Sequence, residues 1–141
     1  LTYNAMNQIT QEEMLKSIQK SNENEFYMVH KDTNHVIGAI FIVEDELRYQ
    51  VNSVCLAYYL SEKYIQQGYM TEALTSMIEY LFETGIDIIS ARTFKENKAS
   101  SALLRKLGFV HEGTIRKAVL GYNNIVYDDE IFSITKEDLN K

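Results

Sequence analysis

The strongest pattern in the chain is a run of apolar residues at helical spacing that begins after Gly68. These residues recur at intervals of three and four positions, which predicts an amphipathic helix; they are Met70, Ala73, Leu74, Met77, Ile78, Leu81 and Phe82. Gly85 stands where such a helix would end. A second amphipathic helix is predicted over residues 97–107, with cations in its last turn and Gly108 behind it.

Between these helices, segments rich in β-branched and aromatic residues predict strands. Residues 25–30 and 36–44 flank a turn signal and predict an antiparallel hairpin, while 51–60 is apolar enough to be a central strand. Further strands are predicted over 86–94, 109–119 and 125–135, the last two forming a closing hairpin. The pattern therefore predicts an α+β fold, with a mixed sheet flanked by helices.

The beginning of the chain predicts one more helix, over residues 10–21. Thr10 and Glu13 are spaced as a capping box, and the apolar residues that follow share one helical face. Only nine residues precede this helix.

Composition restricts the class of protein. A chain of 141 residues with 45% hydrophobic and 24% charged content fits one globular domain over residues 1–141, and it contains no proline linker or repeat. Its longest apolar run, VIGAIFIV, is far shorter than the roughly 18 residues that cross a bilayer. We therefore expect no membrane partner. A single cysteine and the absence of a secretory start favour the cytoplasm.

Charge and motif searches exclude several kinds of site. A net charge of −6 argues against a nucleic acid partner and is compatible with a cationic substrate. The six glycines form neither a P-loop nor GxGxxG, and no GxSxG is present. Three histidines and one cysteine give no zinc spacing, so we expect no metal.

The stretch YIQQGYMTEA joins the third predicted strand to the long helix. Its glycine has two interpretations, a plain turn or a site where backbone N–H groups at the helix start bind an anion. In the second interpretation the donors are backbone amides, with one added hydroxyl from Thr71. The residues concerned are Gln66, Gln67, Gly68, Tyr69, Met70 and Thr71.

Three ordered motifs carry a resemblance to a known family. They are YYLSEKYIQQGYMTEAL, ENKASSALLRKLGFVHEG and VYDDEIFSI. From about residue 25 onward the chain resembles the GNAT acetyltransferase superfamily, in particular the Rim-type branch that includes N-terminal acetyltransferases of ribosomal proteins. The resemblance implies a twisted, mostly antiparallel sheet and acetyl-CoA as co-substrate.

The resemblance also implies roles for individual residues. The pyrophosphate of acetyl-CoA would bind the amides of residues 66–71. Its pantetheine would run along the strand that ends at Tyr58, Tyr59 and Leu60, which is splayed from the next strand. Asn97 would contact the cofactor, or else serve only as an N-cap. Ser100 would protonate the departing thiolate, or else be a solvated helix residue. Cations around the second helix would hold the 3′-phosphate or form a solvated face; they are Lys95, Lys98, Arg105 and Lys106.

The chain departs from the family at Ile65, Gln66 and Met70 in the glycine corner, where backbone amides should preserve cofactor binding, and at two positions of proton transfer. Leu104 stands where relatives have a tyrosine acid, and Val119 where some have a glutamate base. The catalytic set we predict is therefore Ser100 with Tyr122 and Glu112. The remaining candidates for a base are His111, Asp128 and Asp129. His111 and Glu112 should face opposite sides of one strand, and Cys55 is interpreted as core rather than as an acyl carrier.

The function implied is direct transfer of acetyl from acetyl-CoA to an amine, either a peptide N-terminus or a small amine. An α-amine, with a pKa of roughly 8, needs little help from a base, whereas lysine at roughly 10.4 needs much. The alternative is a catalytically weak GNAT-like module that binds acyl-CoA or a protein. A cofactor-free interaction protein is disfavoured by the glycine corner.

The motif order implies a strand and a helix before residue 10. We expect both to be missing, since the preceding residues are too few. That truncation would leave a sheet edge open for pairing with a second copy of the chain, as in a homodimer.

Overall fold

A computed structural model describes residues 24–139, apart from the side chain of Tyr122. Six strands form one sheet in the order β1-β2-β3-β4-β6-β5. They are β1 (Glu25–Val29), β2 (Val36–Val43), β3 (Ser53–Leu60), β4 (Ile88–Phe94), β5 (Val110–Leu120) and β6 (Val126–Thr135). The helices are α1 (Tyr69–Glu83), α2 (Lys98–Lys106) and the short α3 (Lys136–Leu139). The predicted α+β fold is confirmed.

Every neighbouring pair of strands is antiparallel except β3 and β4. The predicted hairpins are both present, as β1 with β2 and β5 with β6. The connection from β3 to β4 is parallel and runs through α1, as a strand–helix–strand crossover requires. A mostly antiparallel sheet is thus confirmed.

The hydrophobic core lies on one face of the sheet, under α1 and α2; we call this the helix face. Strand residues alternate between the two faces, so Leu56 and Tyr58 of β3 point into this core, whereas Cys55 and Ala57 point to the opposite face. We call that opposite face the cleft face. The apolar stripe predicted for α1 is buried almost as expected, by Met70, Leu74, Met77, Ile78, Leu81 and Phe82.

The sheet splits between β3 and β4. Their parallel pairing covers only four positions, from Ser53 with Ile88 to Leu56 with Ala91. Beyond that point β3 continues to pair with β2, and β4 continues to pair with β6. Among the described strands, none therefore pairs with the last four residues of β3 on the β4 side.

Element boundaries differ slightly from the prediction. β3 begins at Ser53 rather than at residue 51, because Val51 is exposed and the Asn52 side chain donates a hydrogen bond to the carbonyl of Gly85. Asn97 precedes α2 as its N-cap rather than forming its first turn.

The predicted helix over residues 10–21 lies outside the described residues. The same holds for the predicted absence of a strand and helix before it, so both stay predictions. Among the described helices, none is long and apolar enough to span a membrane.

Candidate active site

The glycine corner stands at the mouth of the split, where α1 begins. Gly68 is the residue before the helix and has φ = 81°, a left-handed conformation that favours glycine. Within residues 24–139 no side chain caps this helix start, and a Cβ added to Gly68 would meet nothing within 4 Å. The first amides of α1 lack acceptors within the helix. They carry the positive end of the helix dipole.

Tyr69, the first residue of α1, is tied to the β1–β2 hairpin. Its hydroxyl lies 3.2 Å from Nε2 of His30, which follows β1. The ring of Tyr64 packs against both, with centroids 5.4 Å from His30 and 6.2 Å from Tyr69. This aromatic cluster fixes the position of the helix start relative to the sheet.

The other predicted residues of the corner contribute mainly backbone. Met70 is buried in the core, so only its amide is available to a ligand. Gln66 has φ = 62°, a strained conformation for a residue with a side chain, and Gln67 bonds back to the carbonyl of Lys63. Thr71 is half-buried in the first turn.

Tyr59 and Leu60, the predicted neighbours of pantetheine, lie on the unpaired end of β3 along the split. Their side chains are half-buried, and burial raises the pKa of Tyr59 to about 12. Tyr59 stacks on Phe41 on the cleft face.

Ser100 reaches the split from the helix face. Its hydroxyl lies 2.7 Å from the hydroxyl of Tyr58, and both residues are buried. The Asn97 side chain accepts a hydrogen bond of 3.1 Å from the Ser100 amide, which fixes the first turn of α2. The interpretation of Ser100 as a solvated residue is wrong, because Tyr58 and the core enclose it. Asn97 is an N-cap, and its contact with a cofactor stays a prediction.

Sequence reasoning placed Tyr58 on the strand beside pantetheine but missed the role of its hydroxyl as the partner of Ser100. Burial raises its pKa to about 12, with the Ser100 hydrogen bond opposing that rise. The phenol therefore stays protonated and can pass a hydrogen bond to Ser100. A usable signal was present, since Tyr58 shares its strand face with Leu56 and a buried tyrosine hydroxyl needs a partner.

The predicted cations of α2 lie at different ends of the helix. Lys98 is in the first turn and exposed, whereas Arg105 is in the last. The Arg105 guanidinium lies 5.3 Å above the ring of Phe132. Lys98 and Arg105 are seven positions apart, about 10 Å along the helix. The two cations therefore do not lie together at one point.

The proposed bases on β5 already have partners. Glu112 forms an ion pair with Arg48 of the β2–β3 loop, and His111 lies 2.6 Å from Glu130. His111 also contacts the ring of Phe132, on the helix face, so the two residues do face opposite ways as predicted. Neither lines the cleft described next. The side chain of Tyr122 lies outside the described residues.

Leu104 and Val119, the two departures from the family at positions of proton transfer, have different surroundings. Leu104 is fully buried in the core, and Val119 lines a cleft on the cleft face. Cys55 is buried beside the same cleft, and burial raises the pKa of its thiol to about 11. Such a thiol is poorly ionised, in line with a packing role.

That cleft has a volume of about 480 Å³ and is lined by two buried acids, Asp45 and Asp129. Asp129 pairs with Arg92. Arg92 donates a hydrogen bond of 2.9 Å from Nε to Oδ2 of Asp129, and its Nη2 forms an ion pair with the same oxygen at 2.8 Å. Burial raises the pKa of Asp129, and the charge of Arg92 opposes that rise. Asp128, the adjacent candidate, instead accepts a hydrogen bond from the Lys117 amide.

The floor of the cleft face is held by a polar network. Asp45 is buried and accepts hydrogen bonds of 2.9 Å from both Arg48 and Ser90. Burial alone would raise the pKa of Asp45, but these hydrogen bonds lower it overall. In the part of the chain that the structure describes, no three acidic, histidine or cysteine side chains group as a metal site would need.

Comparison with known proteins adds the family context. Residues 2–110 match the family model described as an acetyltransferase (GNAT) domain. YoaA of Bacillus subtilis, named as an uncharacterized N-acetyltransferase, is 30% identical over 107 residues, which are 75% of this chain and 59% of that protein. The [ribosomal protein uS5]-alanine N-acetyltransferase of Escherichia coli is 32% identical over 96 residues, 67% of this chain and 49% of that protein.

Among solved structures, Mycobacterium smegmatis RimJ in complex with CoA-disulfide superposes with a TM-score of 0.70. It is 21% identical, and the match covers 92% of this chain and 61% of that one. The chain thus spans between 49% and 61% of the length of these three proteins.

Proposed function

This chain belongs to the GNAT family of acetyltransferases, with relatives in its Rim-type branch, and we propose that it transfers the acetyl group of acetyl-CoA directly to an amine. The observation that carries the proposal is the combination of a split sheet with an uncapped helix start at its mouth. The split between the strands suits a thioester and its pantetheine arm, and the uncapped helix start suits a pyrophosphate.

The residues around the split have separate tasks in this proposal. The amides at the start of α1, released by the turn at Gly68, bind the pyrophosphate. The unpaired edge of β3 near Leu60 donates to the thioester carbonyl and stabilises the charge that develops there. Ser100, backed by Tyr58, donates a proton to the thiolate that leaves.

The acceptor we favour is an α-amine, because such an amine is partly neutral near physiological pH. The Escherichia coli relative supports this choice, since its printed name specifies an alanine of a ribosomal protein. A small amine of low pKa fits the same chemistry.

One observation favours the alternative, a module that binds acyl-CoA without turnover. Leu104 is fully buried and apolar at the position where relatives carry a tyrosine acid, so that proton donor is absent. In our proposal Ser100, on the same helix as Leu104, replaces it with the support of Tyr58 from β3.

The test is an acetyl transfer assay on the 141-residue chain. Acetyl-CoA is incubated with an Ala-initiated peptide, the same peptide with a blocked N-terminus and an internal lysine, and a small diamine, while a thiol reagent reports free CoA. We expect CoA release that depends on the acceptor, fastest with the free N-terminus. Tight CoA binding without release would support the module, and failure to bind CoA would refute both functions.

A further inference from the structure

The arrangement of Asp129 is unusual for a carboxylate paired with arginine. An arginine fork commonly bonds both carboxylate oxygens in parallel. Here both donors of Arg92 converge on Oδ2, and Oδ1 has no hydrogen-bond partner among the described residues. Oδ2 is therefore held by Arg92, whereas Oδ1 remains available to a hydrogen-bond donor.

The unpartnered oxygen is also inaccessible to bulk solvent. Asp129 is 3% exposed, and it lines the cleft of about 480 Å³. A buried polar atom without a partner costs about 1–3 kcal/mol, so such atoms are rare and need an explanation. A hydrogen-bond donor that enters the cleft would remove this cost.

The rest of the cleft favours a cation as that donor. Its rim at the end of β2 carries the acidic residues Glu44 and Glu46, while Asp45 between them is buried and its charge is paired with Arg48. Arg92 also lines it, but its charge is directed to Asp129. The acids outnumber the one lining arginine, so the cleft attracts a protonated amine more than an anion.

Asp129 also has the right location relative to the split. Asp129 pairs with Phe94, the last residue of β4. Phe94 lies three positions beyond Ala91, the last residue of β4 that pairs with β3. Asp129 and Arg92 lie on the cleft face, whereas Ser100 and Tyr58 lie on the helix face. A thioester in the split would have a proton donor on one side and a carboxylate on the other.

We propose that Asp129 Oδ1 binds the protonated acceptor amine in this cleft and takes one proton from it, so that the neutral amine can attack acetyl-CoA. This inference rests on the proposed function. The amine nitrogen forms a bond to the thioester carbon, the carbon–sulfur bond breaks, and its electron pair goes to sulfur. The nitrogen loses its second proton to solvent as the amide forms. Sulfur receives a proton from solvent or from Ser100, which then regains one from solvent, giving an amide and free CoA.

The electrostatics support this role. Burial raises the pKa of Asp129, which makes its carboxylate a stronger base than an exposed aspartate. Arg92 opposes that rise, so the carboxylate is kept ionised and able to accept a proton. A carboxylate remains a weak base for an alkylammonium, which agrees with an acceptor of modest pKa.

The test compares Asp129→Asn with Asp87→Asn in the transfer assay. The asparagine at 129 keeps an oxygen for Arg92 but cannot take a proton, so we expect kcat/KM for the peptide to fall about a hundredfold, as is usual on loss of a general base. Acetyl-CoA affinity should not change. Asp87 is exposed before β4 and does not line the cleft, so Asp87→Asn should leave kcat/KM as in the wild type.

A second acceptor separates proton transfer from structural damage. With the least basic amine that the wild type acetylates, the acceptor is already neutral and Asp129→Asn should lose far less activity than with the peptide. An equal loss with both acceptors, or no loss at all, would overturn the inference. Because the wild type is assayed alongside, a failure of the proposed function would be seen separately, as absence of acceptor-dependent CoA release in the wild type.

Discussion

Helices α1 and α2 begin in opposite ways, although both start at the split between β3 and β4. α1 follows a left-handed glycine and has no side-chain cap among residues 24–139, and a Cβ added to Gly68 would meet nothing within 4 Å. α2 follows Asn97, whose side chain caps the amide of Ser100, and its first turn is buried against Tyr58. One helix start leaves its amides for a ligand, while the other uses its own side chain to hold a hydroxyl in place.

This difference predicts that substitutions at the two helix starts change different properties of the protein. Substitutions at the start of α1 should act mainly on cofactor affinity, because backbone donors there have no protein partner to replace. Substitutions at the start of α2 should act on catalytic rate or on folding, because its groups already bond to one another.

The largest effect is expected for Gly68→Val. A β-branched residue resists φ = 81°, costing about 1–2 kcal/mol of stability. It would also push a pyrophosphate off the amides, each charge-assisted bond being worth about 1.5–3 kcal/mol. We expect the loss of one such bond to raise the Kd for CoA about tenfold to a hundredfold, as calorimetry would measure.

Gly113→Val is the matched control for that substitution. The Cβ position at Gly113 is also open, but the residue lies in β5 without a positive φ, so CoA affinity should be retained. If Gly68→Val lost thermal stability and no separable CoA affinity, Gly68 would be only a turn residue.

Ser100→Ala should have the next largest effect, on rate. The hydroxyl acts as charge develops on sulfur, so kcat should fall about tenfold to a hundredfold while acetyl-CoA affinity stays nearly constant. Tyr58→Phe should reduce kcat less, because Ser100 remains. Ser101→Ala, in the same helical turn but without this bond, is the control. An unchanged kcat in Ser100→Ala would leave proton donation to water or to Tyr122.

The contrast between the two helix starts was only partly predictable from sequence. The period of apolar residues predicted α1, and the glycine before it indicated a special backbone conformation, because both signals are local. The Tyr58–Ser100 bond joins residues 42 apart, and the Arg92–Asp129 bond joins residues 37 apart. Strand alternation gives the face of each residue but not its partner across the sheet, so Asp129 could only be one of several candidate bases.

Asn97→Ala tests the cap of α2 and should cost about 1 kcal/mol, the usual value of an N-cap. Chemical denaturation would measure this loss in the free energy of unfolding. Asn97→Asp keeps an acceptor for the Ser100 amide and adds charge favourable to the helix dipole, so stability should be restored. If Asn97→Asp nevertheless lowered CoA affinity, the amide group of Asn97 would contact the cofactor as well as cap the helix.

The smallest effect is expected at Gln66, whose φ of 62° places a side-chain residue in the left-handed region beside Gly68. Gln66→Gly relieves that strain, and the extra freedom of glycine in the unfolded chain offsets part of the gain, so we expect a net stabilisation below about 1 kcal/mol. Gln67→Gly has no positive φ to relieve and should destabilise slightly. Both variants keep their backbone amides, so CoA affinity should match the wild type. A loss of affinity in Gln66→Gly would show that its side chain, and not only the backbone at the start of α1, holds the ligand.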